Sequence, residues 1–192
     1  MVLLEKADVR EHFNRIANVY ETRKKQFYLN IIRSEVQKLH GDRVVDLGCG
    51  SGLALTWLEA IEKVGIDVSS GLLKFGRSRG ECVVGDIEES PFKAATFDLI
   101  LCLDVLEHLP TLKVIQEAHR LLSKNGTFLL ATANNKYAPL LSVLEKFKLK
   151  LPEGPTTWWA IRQIQNALNV AGFAFHRESR LFFMDFYRCT KS

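Results

Sequence analysis

The chain has 192 residues, 47% of them hydrophobic, enough for one substantial core and too few for two ordinary domains. Its 26 Lys and Arg against 22 Asp and Glu leave a net charge of +4, which gives no argument for nucleic acid or an anionic membrane as the main partner. No apolar run approaches the roughly 20 residues that cross a bilayer.

The opening MVLLEKADVREHF turns charged too early for a secretory signal. Cys49, Cys82, Cys102 and Cys189 show neither CxxC spacing nor a disulfide-dense pattern, so the expected setting is reducing and cytoplasmic. Residues 1–42 read as a helical cap. Apolar side chains recur at spacings of three and four, at Phe13, Ile16, Ala17 and Tyr20, then from Phe27 through Ile31, Ile32 and Val36 to Leu39. A break between two helices is expected near 18–24.

The period changes at residue 43. RVVDLG is a buried strand, SGLALTWLEAI a helix with Ser51 as its N-cap, KVGID a second strand and SSGLLKFGRSR a second helix. ECVVGD and FDLILCLD are the third and fourth strands. LKVIQEAHRLLSKNG is a helix closed by Asn125-Gly126, and GTFLLATA is a fifth strand. Strands apolar on both faces and alternating with helices predict an α/β fold, a Rossmann-like doubly wound, mostly parallel sheet of seven strands. Residues 43–135 form the core of that single domain, and 136–156 read as a substrate-side insertion. Residues 157–192 supply a helix, capped by Thr156 or Thr157 and closed at Gly172, and an antiparallel hairpin at the sheet edge.

Chemistry concentrates in VVDLGCGSGL, residues 44–53. Gly48, Gly50 and Gly52 follow a strand and open a helix, where missing side chains admit a ligand and unpaired N–H groups meet an anion. A tight turn needing glycine for its own geometry is the bland alternative. Two later acids weigh against it. Asp67 ends the second strand 21 residues after Asp46, a spacing suited to ribose hydroxyls. Asp86 ends the third strand beside Ile87, an acceptor and an apolar face suited to adenine. A dinucleotide fingerprint would put its third glycine at position 53, which is Leu53, and a Walker A loop would need a lysine that the loop lacks. The ligand suggested is an adenosine bearing an amino-acid carboxylate, S-adenosylmethionine.

These segments resemble the class I S-adenosylmethionine-dependent methyltransferases. VVDLGCGSG is similar to their first motif, VGIDVSS to the ribose-binding strand end, VVGDIEESPFKAATFDLILCLDVLEHL to the adenine turn and fourth strand, and LLSKNGTFLLATAN to the fifth-strand segment. FNRIANVYE and the late helix ending AGF are similar to the small-molecule branch, which includes quinone-biosynthesis enzymes. The resemblance implies that Gly48, Cys49 and Gly50 approach the methionine part through backbone, with Asp46 ordering the loop or meeting the amino group. It further implies Asp67 on the ribose hydroxyls, Val68 against adenine, Asp86 and Ile87 on the adenine amine and face, and the Leu103 carbonyl toward the methionine ammonium. Tyr20 would close over the cofactor from the N-terminal helix. The product would be S-adenosylhomocysteine.

No Asn-Pro-Pro-Tyr or Asp-Pro-Pro-Tyr follows the fourth strand, which argues against methylation of adenine or glutamine amino groups. LDVLEHLP stands there. Asp104, Glu107 and His108 resemble the metal-binding E-x-x-E-H of certain quinone O-methyltransferases, with Asp in first place. Because LEH also occurs in metal-free relatives, with the histidine bonding nearby backbone, the expectation is no metal. His108 and Asp104 are the candidates for a general base. His119 reads as a surface residue. One of Trp158 and Trp159 packs on the core. Lys146, Lys148 and Lys150 form either a solvated edge or part of a substrate lid.

The charge is unevenly spread: residues 1–42 carry +2, residues 43–104 carry −4 and residues 105–192 carry +6. The resemblance implies a small-molecule acceptor, and the basic flanks tilt it toward an anionic one; no nucleic acid and no membrane span are expected, on a monomer or homodimer. An NAD-dependent oxidoreductase, a non-catalytic sensor of the adenosyl cofactor and an RNA methyltransferase are the alternatives.

Overall fold

Val44, Val45 and Leu47 are β-branched or branched residues pointing alternately to two buried sides, and they make β1 (Arg43–Leu47) the centre of the molecule. The structure is a computed structural model and describes residues 5–22, 26–76, 79–140, 156–180 and 184–192. Around β1 stand β2 (Glu62–Asp67), β3 (Glu81–Val84), β4 (Phe97–Leu103), β5 (Leu122–Ala133), β6 (Phe173–Arg180) and β7 (Met184–Lys191). The seven strands form one sheet in the order β3-β2-β1-β4-β5-β7-β6. β1 to β5 pair in parallel, and β7 slots antiparallel between β5 and β6. The doubly wound sheet with a C-terminal antiparallel hairpin is thus the one expected. The strand order reverses between β1 and β4, and ligands of such sheets bind at the strand ends beside that switch.

The helices are α1 (Lys6–Thr22), α2 (Gln26–Val36), α3 (Ser70–Gly76), α4 (Lys113–Leu121) and α5 (Ile161–Ala171). Alternate residues of the central strands feed two cores. Val45, Leu47, Ile100 and Cys102 join Val114, Ile115 and Ala118 of α4 and Ile164 and Leu168 of α5. Val44, Leu99 and Leu101 join Ile32 and Val36 of α2 and the Leu55 and Leu58 side chains.

Several local expectations are corrected. The β1–β2 connection holds only a 3₁₀ turn at Ala54–Trp57, because few residues separate Gly52 from β2 and Leu58 is already extended. Ser51 is no N-cap: its hydroxyl and carbonyl accept from the Arg79 guanidinium at 2.8 and 3.1 Å. α4 ends at Leu121, and Asn125-Gly126 lies within β5, where the register jumps from Phe97–Leu122 to Leu99–Thr127. The extra β5 residues form a bulge rather than a helix terminus.

α5 starts at Ile161, after an irregular 156–160 that ends in an extended Ala160, so neither Thr156 nor Thr157 caps it. The Gln163 side chain accepts the Ala160 N–H instead, at 2.8 Å. Gly172 does close it in the left-handed conformation, as expected. His119 is partly exposed, its ring edge-on to Phe173 at 5.1 Å. Lys146, Lys148 and Lys150, and most of the insertion expected at 136–156, lie outside the described residues.

Candidate active site

The strand tips of β1, β2 and β3 lie side by side, in register Asp46–Gly65 and Asp67–Val84. Beyond β1 the chain folds back over β2: the N–H groups of Gly48 and Cys49 both donate to the Ile66 carbonyl, at 2.8 and 3.1 Å. Gly52 N–H then closes the turn on the Cys49 carbonyl at 2.8 Å. Gly48 has φ +81°, and a Cβ there would stand 2.5 Å from a Val105 methyl, so glycine is required by both torsion and space. At Gly50 a Cβ would meet only Leu72, at 3.7 Å, which leaves room for a ligand against the loop.

Asp67 is buried at the β2 tip and ties the loop to the next turn. Its two oxygens accept from Gly50 N–H and Ser69 N–H, each at 2.8 Å. Burial pushes its carboxyl up, and the backbone N–H groups of Ser69, Gly50 and Val68 oppose that shift. Asp46 is also buried, and Val68 is partly so. At the β3 tip Asp86 caps its own turn, accepting from Glu88 N–H at 2.9 Å. Its other oxygen is bound by Lys6 of α1 at 2.6 Å, and the same ammonium meets Glu88 at 2.5 Å. Ile87 is buried beside it. Asp46, Asp67 and Asp86 therefore lie at neighbouring strand ends, as the spacing indicated.

α1 covers this edge of the site. The Asn14 side-chain oxygen accepts from Ser69 Oγ at 2.9 Å and from Gly71 N–H at 2.8 Å. One residue before Asn14, Phe13 stands edge-on to Tyr20 and to His108, with centroids 5.8 and 5.0 Å away. Tyr20 thus reaches the aromatic cluster next to the β4 tip.

At that tip, after Leu103, Asp104 adopts φ +60° with its N–H on the Ala131 carbonyl at 2.8 Å. Such torsions at a polar residue recur at functional sites. Leu106–His108 is a 3₁₀ turn held from three directions. Thr132 donates its hydroxyl to Glu107 at 3.1 Å, Thr157 N–H reaches the Glu107 carbonyl at 2.6 Å, and Trp159 Nε1 reaches the Leu106 carbonyl at 3.1 Å. Trp159 is therefore the tryptophan on the core. Tyr28 of α2 places a buried hydroxyl near Asp104 without a hydrogen bond of good geometry. Burial and the Asp104 charge push its phenol well above the usual range. Among the described residues, no three His, Cys, Asp or Glu side chains gather closely enough to hold a metal ion.

Sequence reasoning did not single out Lys6, Asn14, Tyr28 or Thr132. Lys6 and Asn14 are polar positions on an amphipathic helix, and only the docking of α1 on α3 and on the turn after β3 shows their partners. Tyr28 sits on a helix whose apolar period hides a polar end.

Residues 45–130 match a family model described as a methyltransferase domain. An uncharacterised protein of Methanocaldococcus jannaschii is 32% identical over 106 residues, 55% of this chain and 47% of its own length. A ubiquinone biosynthesis O-methyltransferase of Haemophilus ducreyi is 31% identical over 144 residues, 65% of this chain and 61% of its own. The chain spans about half to three-fifths of the length of these curated relatives.

Among solved structures, a chain from the Haloferax volcanii complex containing the Trm112 methyltransferase activator has TM-score 0.76 at 20% identity, covering 95% of this chain and 96% of that one. Magnesium protoporphyrin IX methyltransferase from Synechocystis, solved with bound S-adenosylhomocysteine, has TM-score 0.69 at 20% identity, covering 97% and 99%. The fold is the Rossmann-like one of these enzymes. Within that fold, residues 45–130 are the part that matches the methyltransferase-domain model.

Proposed function

We propose that this chain transfers the methyl group of S-adenosylmethionine directly to a small-molecule acceptor held at the β4 tip. The observation that carries the reading is the Asp67 carboxylate bound to Gly50 N–H. It joins the glycine loop to the β2 tip beside open space at Gly50, a cradle for an adenosyl ligand.

The residues present fit that ligand. Gly48, Cys49 and Gly50 offer backbone to its methionine part, with Asp46 behind them and the Leu103 carbonyl opposite. Asp67 takes the ribose hydroxyls and Val68 the adenine face. Asp86 and Ile87 take the adenine edge, Lys6 sharing the Asp86 carboxylate. The cofactor, when bound, supplies an electrophilic methyl on sulfur. The chain's task is to align an acceptor atom with it and to exclude water.

The acceptor wall supports a flat or partly apolar molecule, since Phe13, Tyr20 and His108 surround the tip. Asp104 and His108 are the proposed proton acceptors where the acceptor molecule carries a proton. The tilt toward an anionic acceptor loses support at this wall. Its described charges, Asp104 and Glu107, are acidic, and the lysines 146, 148 and 150 lie outside the described residues.

The test is transfer of labelled methyl from S-adenosylmethionine to a panel of phenols, amines and carboxylic acids, with total tRNA as a separate arm. Label on a small molecule is expected. Label on RNA alone would overturn the acceptor class. No transfer with intact S-adenosylhomocysteine binding would favour a non-catalytic sensor.

A further inference from the structure

Cys49 and Cys82 reach the same point from opposite sides of β2. Cys49 belongs to the glycine loop after β1, and Cys82 sits on β3 in register with Gly65 of β2. A Cβ built on Gly65 would lie 2.4 Å from the Cys49 sulfur and 3.2 Å from the Cys82 sulfur. The two thiols therefore share the space that glycine leaves empty, and any larger residue at 65 would part them. The Cys49 thiol donates to the Gly50 carbonyl at 3.9 Å. The mutual influence of the two neighbouring thiols lowers the Cys82 pKa to about 7 and, together with burial, raises that of Cys49. Cys82 is half-exposed on the edge strand, whereas Cys102 and Cys189 are fully buried, with thiols pushed up by burial. One thiol of the pair is thus accessible, with a second within reach to resolve it.

We propose that Cys82 is a modification site for hydroperoxides that resolves onto Cys49, closing a disulfide beneath the glycine loop. The Cys82 thiolate attacks one oxygen of hydrogen peroxide. The O–O bond breaks, hydroxide leaves, and Cys82 becomes a sulfenic acid. The Cys49 sulfur then attacks the Cys82 sulfur. The S–S bond forms as the S–O bond breaks, and the Cys49 proton departs with the hydroxyl as water. The two sulfurs together give up two electrons, and the peroxide is reduced to water.

An S–S bond of about 2.05 Å is shorter than any thiol–thiol contact, so closure draws Cys49 toward β3. Cys49 cannot move alone. Its N–H holds the Ile66 carbonyl and its carbonyl holds Gly52 N–H, so Gly48–Gly52 moves with it. The bridge thereby removes the loop from its ligand-binding form, a consequence that rests on the function proposed above, whereas the bridge itself does not.

The experiment treats the reduced full chain with hydrogen peroxide, traps remaining thiols with N-ethylmaleimide and digests it for mass spectrometry. In parallel, calorimetry follows S-adenosylhomocysteine binding. A Cys49–Cys82 linked peptide is expected in the native chain, with Cys102 and Cys189 still reduced. Binding should weaken by about tenfold or more after oxidation and return with dithiothreitol. Cys82→Ser and Cys82→Ala should bind like the reduced chain and ignore peroxide. Separate alkylation of Cys49 and Cys82, a bridge to Cys102 or Cys189, or a bridged chain with unchanged binding would each overturn the proposal. If the reduced chain binds no S-adenosylhomocysteine, the functional reading fails, and the linked peptide alone decides the modification site.

Discussion

The carboxylate of Asp67, at the end of β2, accepts the backbone N–H of Gly50, 17 residues earlier in the chain, at 2.8 Å. A residue expected to serve a ligand is also part of the scaffold that shapes the ligand's loop. Its other oxygen holds Ser69 N–H, so one buried acid fixes two turns.

Asp67→Ala should therefore do two things. Stability should fall by about 1–3 kcal/mol, since two N–H groups lose their acceptor. Affinity for S-adenosylhomocysteine should fall by about tenfold or more, while the circular dichroism of the domain persists. Calorimetry and urea denaturation on the same preparation read both. Unchanged affinity would mean that the ribose site lies elsewhere.

Gly48→Ala should destabilise the domain by about 1–3 kcal/mol, because the new methyl meets Val105 at 2.5 Å while φ stays at +81°. The companion Val105→Ala substitution removes the clash but not the torsional strain. Only partial recovery is expected in the double variant, measured by the urea midpoint.

Glu117 carries a pH prediction. Burial alone would raise its carboxyl, but hydrogen bonds from Arg120 and Ser90 outweigh that and hold it below the ordinary 4.5. The same carboxylate takes the Ser90 N–H and hydroxyl at 3.0 and 2.5 Å, and Arg120 extends the link to the Phe92 carbonyl at 2.9 Å. The loop after Asp86 is thus tied to α4. A carboxyl depressed in the fold contributes stability above its unfolded value and loses it as pH falls through the folded one. Glu117→Gln should cost about 1–3 kcal/mol at pH 7. The gap should shrink once the pH drops below 4.5, followed by chemical denaturation.

Tyr28→Phe should change stability by less than about 1 kcal/mol, since the buried hydroxyl makes no hydrogen bond of good geometry. A Tyr28 that orients Asp104 would show instead in turnover, as a lowered kcat with KM little changed. Steady-state kinetics with the acceptor found by methyl transfer separates the two.

The first four strands were legible because each is a short, mostly apolar run closed by Gly or Asp, as a parallel sheet covered on both faces favours. Asp46, Asp67 and Asp86 were legible for the same reason: an acid that ends an apolar run stands out. Helix ends were less so. SGLALTWLEAI has helical periodicity, yet the connection to β2 is too short for more than a 3₁₀ turn. Thr156 and Thr157 look like caps, but Thr157 and Trp159 instead bond the carbonyls of Glu107 and Leu106. Contacts of long sequence separation were not legible at all. Lys6 meets Asp86 across 80 residues, and nothing near either position announces the other. Cys49 and Cys82 are likewise joined only through the strand pairing that puts Gly65 between them.

The most direct test of the account is calorimetric titration of the chain with S-adenosylmethionine, S-adenosylhomocysteine and NAD under one buffer. Saturable binding of both adenosyl ligands, and none of NAD, is the predicted result. Preference for NAD, or no binding of either adenosyl ligand, would contradict it.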